Sequence, residues 1–324
     1  MLNSSSDSAT TASRVDEATG ASTQPHRRLD LAGRAVLLAT DGSPGAVAAA
    51  RVAYALATKH HAKVNVVSVV DTRSAPIPPP LDAAIALGDV VGGETIHKEQ
   101  EQAIRAELSG ATGSSIDWPV RIMLGTPATS IVKEARHLGA VLIILGLRRH
   151  GRLDRVVNDE TTLNVMRNAS CPVLGAVAEL SELPGRVLSA MDFSDGSLIA
   201  VRSAMAVVCD DAKLVLAYVR PMSGFLVDEG EARIHDMGVE AGFTKVAHEL
   251  GQDGVTFDHV VLHHAPGESI ACALLDYADE IGSDLIAAGS VRHSRLDRWM
   301  VGSVSTELVR DGRRSVLIVP PRGG

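Results

Sequence analysis

The sequence predicts an α/β protein made of two tandem doubly wound domains, each with helices that flank a parallel sheet. Three observations lead there. The chain has 324 residues, enough for one to three domains. Two of its segments recur at a nearly constant offset. Short runs of Val, Ile and Leu alternate with helical segments, a pattern typical of parallel strands that are buried on both faces.

The composition is that of a globular protein, with 45% hydrophobic and 22% charged residues. Aromatic residues make up only 3%, so Ala, Val, Leu and Ile must build the core. The net charge of −8 does not indicate a nucleic-acid partner. No apolar stretch approaches the ~20 residues that span a bilayer, so no membrane partner is expected. Three cysteines without paired spacing favour the reducing cytoplasm.

Two pairs of matching segments divide the chain. The segment GRAVLLATDGSPGAVAAARVA, from Gly33, is similar to GRVLSAMDFSDGSLIAVRSA, from Gly185. The segment GLRRHGRLDRVVNDETT, from Gly146, is similar to GSVRHSRLDRWMVGSVS, from Gly289. We therefore predict a disordered tail, rich in Ser and Thr, followed by two copies of one unit. The predicted boundaries are residues 1–30 for the tail, 31–179 for the first domain and 182–324 for the second.

Each domain shows five strand-like runs separated by helical segments. In the first domain the strands are predicted at AVLLAT, KVNVVSVV, PVRIML, AVLIILG and PVLGAV. Helices are predicted at PGAVAAARVAYALATKH, IHKEQEQAIRAEL, ATSIVKEARHL and TTLNVMRNA. The second domain repeats the strands as RVLSAM, KLVLAYV, DHVVLH, DLIAAG and SVLIVP. Doubly wound sheets bind their ligands at the carboxyl ends of the strands, where the strand order reverses, so the site is expected there.

An aspartate closes the first strand of each domain: Asp41 in the first and Asp192 in the second. A carboxylate at this place can accept hydrogen bonds from the amino or hydroxyl groups of a ligand. It can equally serve as the turn or N-cap residue of the following helix. Because the acid recurs at the matching place in both copies, both interpretations stay open.

The loop after the fourth strand of the second domain suits a phosphate chain. It ends in GSVS, where Gly302 permits close backbone approach and Ser303 is a good N-cap for the following helix. The free N–H groups of a helix start form an anion site, and the helix dipole strengthens it. Basic residues such as Arg292 add positive charge. The alternative is a capped helix that follows a basic surface loop.

These features together resemble the universal stress protein family. They are the Asp at the end of strand one, a late loop of the form G-x2-G-x9-G-[ST], and the closing strand in NASCPVLGAV. The resemblance covers both domains. It implies a five-stranded parallel sheet per domain, of the universal stress protein and adenine nucleotide alpha hydrolase-like kind. It also implies last strands that pair between domains, and chains that form homodimers. Members divide into ATP binders and non-binders, chiefly by the state of that loop.

The resemblance assigns a nucleotide site to the second domain. Asp192 would contact the adenosine, and the backbone of Val219 could serve the adenine. The phosphates would be held by four consecutive residues, Gly302, Ser303, Val304 and Ser305. The implied cofactor is ATP, with or without Mg²⁺.

One position of the motif departs from the family. Gly289 matches the first glycine, but Arg292 stands where the family has its second. The side chain restricts the backbone there, although its guanidinium could pair with a phosphate. No catalytic or metal-binding residue is assigned. The adjacent histidine pairs, such as His60-His61, lack the spacing of a metal-ligand motif.

The first domain is predicted not to bind ATP in the family manner, although it keeps Asp41. Gly146 matches the motif and Arg149 replaces its second glycine, but Asp159 and Glu160 stand where the second domain has Gly-Ser. Carboxylates at a helix start satisfy its dipole themselves. Each would also repel a phosphate charge by about 4 kcal/mol at ~4 Å and an effective dielectric of ~20, before screening.

The sequence thus predicts a cytoplasmic, homodimeric protein that binds an adenine nucleotide in its second domain. It would act as a stress-response sensor or regulator with unidentified protein partners. One alternative is slow ATP hydrolysis, for which the sequence offers no obvious general base or dedicated metal ligand. The other is a nucleotide-free interaction module in which Arg292 fills the pocket.

Overall fold

The computed structural model describes residues 29–71, 92–147, 159–220, 229–263, 265–290 and 302–321. Arg149, Arg292 and the basic segments that the two loops share lie outside the described residues.

The described elements alternate along the chain as the sequence pattern predicts. The strands of the first domain are β1 Ala35–Thr40, β2 Lys63–Asp71, β3 Val120–Gly125, β4 Leu142–Gly146 and β5 Val173–Ala176. Its helices are α1 Pro44–His60, α2 Gly92–Thr112, α3 Pro127–Leu138 and α4 Asp159–Asn168. The strands of the second domain are β6 Arg186–Ala190, β7 Lys213–Val219, β8 Asp258–Leu262, β9 Leu285–Gly289 and β10 Ser315–Val319. Its helices are α5 Asp195–Ala204, α6 Glu229–Gln252, α7 Ile270–Glu280 and α8 Ser303–Asp311.

The ten described strands form one sheet, in the order β3-β2-β1-β4-β5-β10-β9-β6-β7-β8. Within each domain all neighbouring strands are parallel. The strand order reverses between β1 and β4 in the first domain and between β6 and β9 in the second. The predicted tandem α/β fold is confirmed, and the sheet as a whole is mixed because the two parallel halves meet antiparallel.

The two domains join through their last strands. β5 and β10 pair antiparallel, with Leu174 opposite Leu317 and Val173 opposite Ile318. A buried hydrogen bond extends this pairing, since the backbone N–H of Val177 donates to Oγ of Ser315 over 3.2 Å. The expected pairing of last strands therefore occurs within one chain. β5 and β10 thus lie inside the sheet, whose outer edges are β3 and β8. Any homodimer therefore has to use a surface other than the last strands.

Helices cover both faces of the sheet, as a doubly wound fold requires. Alternate strand residues point to opposite faces, so Val36 and Val187 pack with α1, α2, α5 and α6, whereas Leu37 and Leu188 pack with α3, α4, α7 and α8. Each of the two apolar clusters contains residues of both domains. Burial therefore binds the domains together as well as holding each one. None of the described helices combines the length and the apolar character needed to cross a membrane.

A polar contact also links the domains at the edge of one cluster. The Nζ atom of Lys59, at the end of α1, donates to the carbonyl oxygen of Val208 over 2.7 Å and lies 2.6 Å from a carboxylate oxygen of Asp210. The Asp210 side chain is 93% exposed, so water screens this ion pair. The apolar clusters and the strand pairing, rather than this salt bridge, hold the domains together.

Candidate ligand site at the strand-order reversals

Glycines bring a helix start against the sheet at each reversal of strand order. A Cβ atom on Gly289, at the end of β9, would lie 2.5 Å from the carbonyl oxygen of Gly196 in α5. In the first domain, a Cβ on Gly146 would lie 2.4 Å from the backbone nitrogen of Ala46 in α1. Real Cβ atoms do not come this close, so both positions require glycine. The first glycine of the loop motif therefore has a packing role in each domain, which is to admit the helix that follows the strand-one acid.

The strand-one acids shape the turns that lead into those helices. One carboxylate oxygen of Asp192, Oδ1, accepts hydrogen bonds from the backbone N–H of Ser194 (3.0 Å) and from its hydroxyl (2.5 Å). Ser194 then caps α5 by accepting from the N–H of Ser197. Asp41 and Ser43 form the same turn before α1.

The turn role does not displace the ligand role in the second domain. Asp192 is exposed, and among the described residues no hydrogen bond reaches its other carboxylate oxygen, Oδ2. That oxygen is available to a ligand. The two interpretations of this acid are therefore compatible, because each can use a different oxygen.

The backbone of Val219 faces the same crevice. The N–H of Met191, just beyond β6, donates to the carbonyl of Ala217, and the N–H of Arg220 donates to the carbonyl of Leu262, both over 2.9 Å. Backbone groups of alternate strand residues point to opposite sides of the strand. The N–H and C=O of Val219 therefore point to the β6 side, past the end of β6, where a ligand could meet them.

The start of α8 leaves its first N–H groups without a side-chain cap. Gly302 is the N-cap residue, and its carbonyl accepts the N–H of Thr306 over 3.0 Å. The expectation that Ser303 caps this helix is wrong, since Ser303 is its first residue and is exposed. The N–H groups of the first turn have no partner within a helix, and glycine cannot supply one. An anion placed there would meet unsatisfied donors and the positive end of the dipole. Val304 is half-buried and Ser305 is 2% exposed.

In the first domain, acidic residues lie at the end of β1 and at the start of α4. Its α4 begins at Asp159, and the next residue, Glu160, is exposed. Sequence reasoning missed a further acid, Glu107 of α2, because no local pattern marks it. Its Oε1 accepts a hydrogen bond of 3.0 Å from the hydroxyl of Thr40. Burial raises the pKa of Glu107, the hydrogen bond from Thr40 lowers it, and the charge of Asp41 raises it. A second negative charge thus lies near Asp41 at the end of β1.

A cavity of about 460 Å³ lies at this crevice of the first domain. It is lined by Asp41, Gly42, Ser43, Pro44, Gly45, Leu147 and Ala178. This volume falls within the range of small-molecule sites. Its acidic surroundings disfavour a phosphate-bearing occupant.

Among the described residues, one cluster of potential metal ligands lies around the start of α7. Ligand atoms of Glu268, Cys272 and Asp276 lie within 4.8 Å of one another. Desolvation, followed by the charges of the two carboxylates, raises the pKa of Cys272, so its thiol stays protonated. Both carboxylates already have partners, the backbone N–H of Ala265 and the guanidinium of Arg313. This chemistry does not favour a metal site.

The fold and its crevices define a class of protein: a tandem doubly wound α/β protein with an uncapped helix start at the ligand edge of its second domain. The chain belongs to the universal stress protein family, because the sequence pattern of that family matches residues 33–175 and 184–320. Both matches lie inside the predicted domains.

Known proteins agree with this assignment. The Thermus aquaticus protein named "Universal stress protein in QAH/OAS sulfhydrylase 3'region" is 32% identical over 143 residues, which are 44% of this chain and 96% of that protein. A universal stress protein of Methanocaldococcus jannaschii is 28% identical over 43% of this chain and 79% of its own length. The crystal structure of an Archaeoglobus fulgidus universal stress protein matches 91% of this chain and 98% of that one, with a TM-score of 0.61 and 20% identity. That likeness shows that the fold is shared across both domains.

Proposed function

We propose that this protein binds ATP in its second domain and acts as a sensor or regulator in the stress response. The observation that carries the proposal is the start of α8. There a glycine N-cap leaves the first-turn N–H groups open at the carboxyl edge of the sheet, near the point where the strand order reverses.

The described residues fit each part of the nucleotide. The N–H groups of Ser303, Val304 and Ser305 would hold phosphate oxygens. Asp192 would accept hydrogen bonds from the ribose through Oδ2. The in-plane N–H and C=O of Val219 would pair with the edge of the adenine. The triphosphate of ATP would carry the negative charge that the start of α8 attracts, and Mg²⁺ would accompany it as a counter-ion.

The first domain has a different part in the proposal. Its cleft keeps Asp41 and its cavity, but Glu107 and Glu160 are acidic at the places where the second domain offers no carboxylate. Like charges there oppose a triphosphate. We assign this domain a structural or regulatory part, joined to the nucleotide-binding domain by the β5–β10 pairing.

The proposal extends to the cell and to assembly. The protein would work in the cytoplasm as a homodimer that contacts unidentified regulatory proteins. Because β5 and β10 already pair within the chain, the dimer would form through a surface other than the last strands.

Calorimetric titration of ATP into nucleotide-stripped protein tests the function. Wild type is expected to bind one nucleotide per chain, and Gly302→Asp/Ser303→Glu to lose that binding, because it writes the carboxylates of the first domain into the second. The matched control is Asp159→Gly/Glu160→Ser, which changes the same two positions in the first domain and should leave the second-domain affinity unchanged. Wild type that binds no ATP, or a charged variant that binds as wild type does, would refute the proposal.

A further inference from the structure

The residue after the strand-one acid adopts a left-handed backbone in both domains. In the first domain this residue is Gly42, with φ of 75°, and in the second it is Phe193, with φ of 62°. Glycine enters this region freely, but a bulky side chain does so only at an energetic cost. Such strain persists only where the surroundings hold it, and it concentrates at functional sites. Phe193 lies directly between Asp192 and the helix cap Ser194.

The ring of Phe193 is held on several sides. It stacks on Tyr218 of β7, with centroids 5.3 Å apart and planes inclined by 26°. It meets Phe243 of α6 edge-on, with centroids 5.1 Å apart. The hydroxyl of Tyr218 in turn lies 3.3 Å from Nε2 of His235, also on α6. The strained turn is therefore tied to the strand and the helix beside it.

A glycine of α6 makes room for this ring. A Cβ atom on Gly242 would lie 2.8 Å from both Cδ1 and Cε1 of Phe193. Glycine is a poor residue for the interior of a helix, so its presence there calls for a reason. Gly238, one turn earlier on the same helix, has no heavy atom within 4 Å of the corresponding position. The close approach is thus particular to Gly242.

We propose that Phe193 is the positioning residue of the second-domain nucleotide site. Gly242 is its seat, which means the position on α6 that leaves room for the ring. The seated ring fixes the turn in which Oδ1 of Asp192 bonds to Ser194, and so holds Oδ2 towards the ligand. This inference rests on the proposed nucleotide binding and names the device that gives the site its shape.

The first domain fills the corresponding space in the opposite manner. There the turn residue is the small Gly42, and the helix supplies a large side chain, because a Cβ on Gly42 would lie 3.6 Å from Oε2 of Glu107. In the second domain the turn residue is large and the helix supplies glycine. An aromatic ring thus borders the acid in one crevice and a carboxylate in the other. The seat makes the second crevice both fixed in shape and free of that charge.

Two alanine substitutions on α6 form a matched test in the full-length protein. Gly242→Ala should displace the ring and weaken ATP binding by about tenfold or more, because small misplacements at a site carry large penalties. Gly238→Ala adds the same methyl group to the same helix without touching Phe193, and should bind ATP as wild type does. Equal affinities for the two variants would overturn the proposal.

A double-variant cycle separates positioning from general damage. Phe193→Gly keeps the left-handed turn without strain but removes the ring, so its affinity should fall. Adding Gly242→Ala to Phe193→Gly should then change nothing further, because the group that the methyl displaces is gone. Additive losses in the double variant would show that Gly242→Ala acts independently of the ring, and would overturn the proposal.

Amide hydrogen exchange tests the seat without any ligand. The amides of Ser194 and Ser197 bond within the turn, and they should exchange at least about tenfold faster in Gly242→Ala than in Gly238→Ala. Equal protection overturns the positioning role. If wild type binds no ATP but the exchange difference appears, the proposed function fails while the seat stands.

Discussion

A single carboxylate decides much of the character of the first crevice at the residue scale. Glu107 reaches from α2 to the end of β1, where it accepts from Thr40 and approaches Asp41. Burial is the first cause that raises its pKa, so folding disfavours its charged form. The carboxylate of Glu107 is present at this position despite its cost in stability, which indicates that negative charge in the first crevice has a functional role.

Replacing Glu107 should reveal this cost as a change in how the free energy of unfolding depends on pH. A carboxyl whose pKa is raised in the folded state binds protons there more readily than in the unfolded chain, so stability falls as pH rises from the unfolded value to the folded one. Glu107→Gln keeps an acceptor for Thr40 and removes this loss. Relative to wild type, its free energy of unfolding should rise by less than about 1 kcal/mol between pH 4 and pH 7, since the group is partly solvated.

Urea denaturation at pH 4, 5.5 and 7 measures this difference directly. Glu160→Gln is measured beside it, because it removes a carboxylate that is exposed at the start of α4 and lies outside the buried contact with Thr40. A difference for Glu107→Gln that shrinks as pH rises would contradict the assigned direction of the pKa shift.

At the element scale, the two domains differ in how the helix after the fourth strand begins. α8 begins behind a glycine cap, whereas α4 begins with Asp159. The sequence predicted this contrast, and also the strands and both strand-one acids, because the internal repeat places equivalent positions side by side. It could not predict that Gly302 would be the cap, since a serine next to a glycine fits the same pattern. Nor could it predict Glu107, whose contact spans 67 residues.

Installing a nucleotide site in the first domain should require changes to two elements. In a chain whose own site is disabled by Gly302→Asp/Ser303→Glu, the changes Asp159→Gly/Glu160→Ser should restore only weak ATP binding. Glu107 of α2 would still oppose the ligand. Adding Glu107→Gln should strengthen binding several-fold by removing one like charge.

Because the second-domain site is disabled in every variant of this series, calorimetry measures ATP binding by the first domain alone. Glu107→Gln placed in the disabled chain without the loop changes is the control, and it should not bind. Full affinity from the loop changes alone would show that the charge on α2 has no part in excluding nucleotide.

The two domains form a single structural unit at the scale of the whole molecule. Their last strands pair, and one apolar cluster on each face of the sheet includes residues of both. Sequence reasoning predicted the pairing through a family resemblance, yet neither periodicity nor spacing shows whether two edge strands meet within a chain or between chains. That choice depends on the path of the linker and on side-chain fit. Whether the last strands pair within one chain decides how far a ligand bound in one domain stabilises the other, because binding to the folded state stabilises everything that unfolds with it.

A buried serine at the junction should therefore control the stability of the whole chain. Ser315→Ala leaves the N–H of Val177 buried without its acceptor, which typically costs about 1–3 kcal/mol. Ser189→Ala is the matched control, because that serine is equally buried in a strand and its hydroxyl has no partner among the described residues. Because that hydroxyl is buried without a hydrogen bond to any described residue, its removal should leave the free energy of unfolding unchanged or raise it. In calorimetric melts, Ser315→Ala should lower a single transition that includes both domains. Two separate transitions, or a Ser315→Ala melt identical to that of Ser189→Ala, would show that the domains unfold independently of this junction.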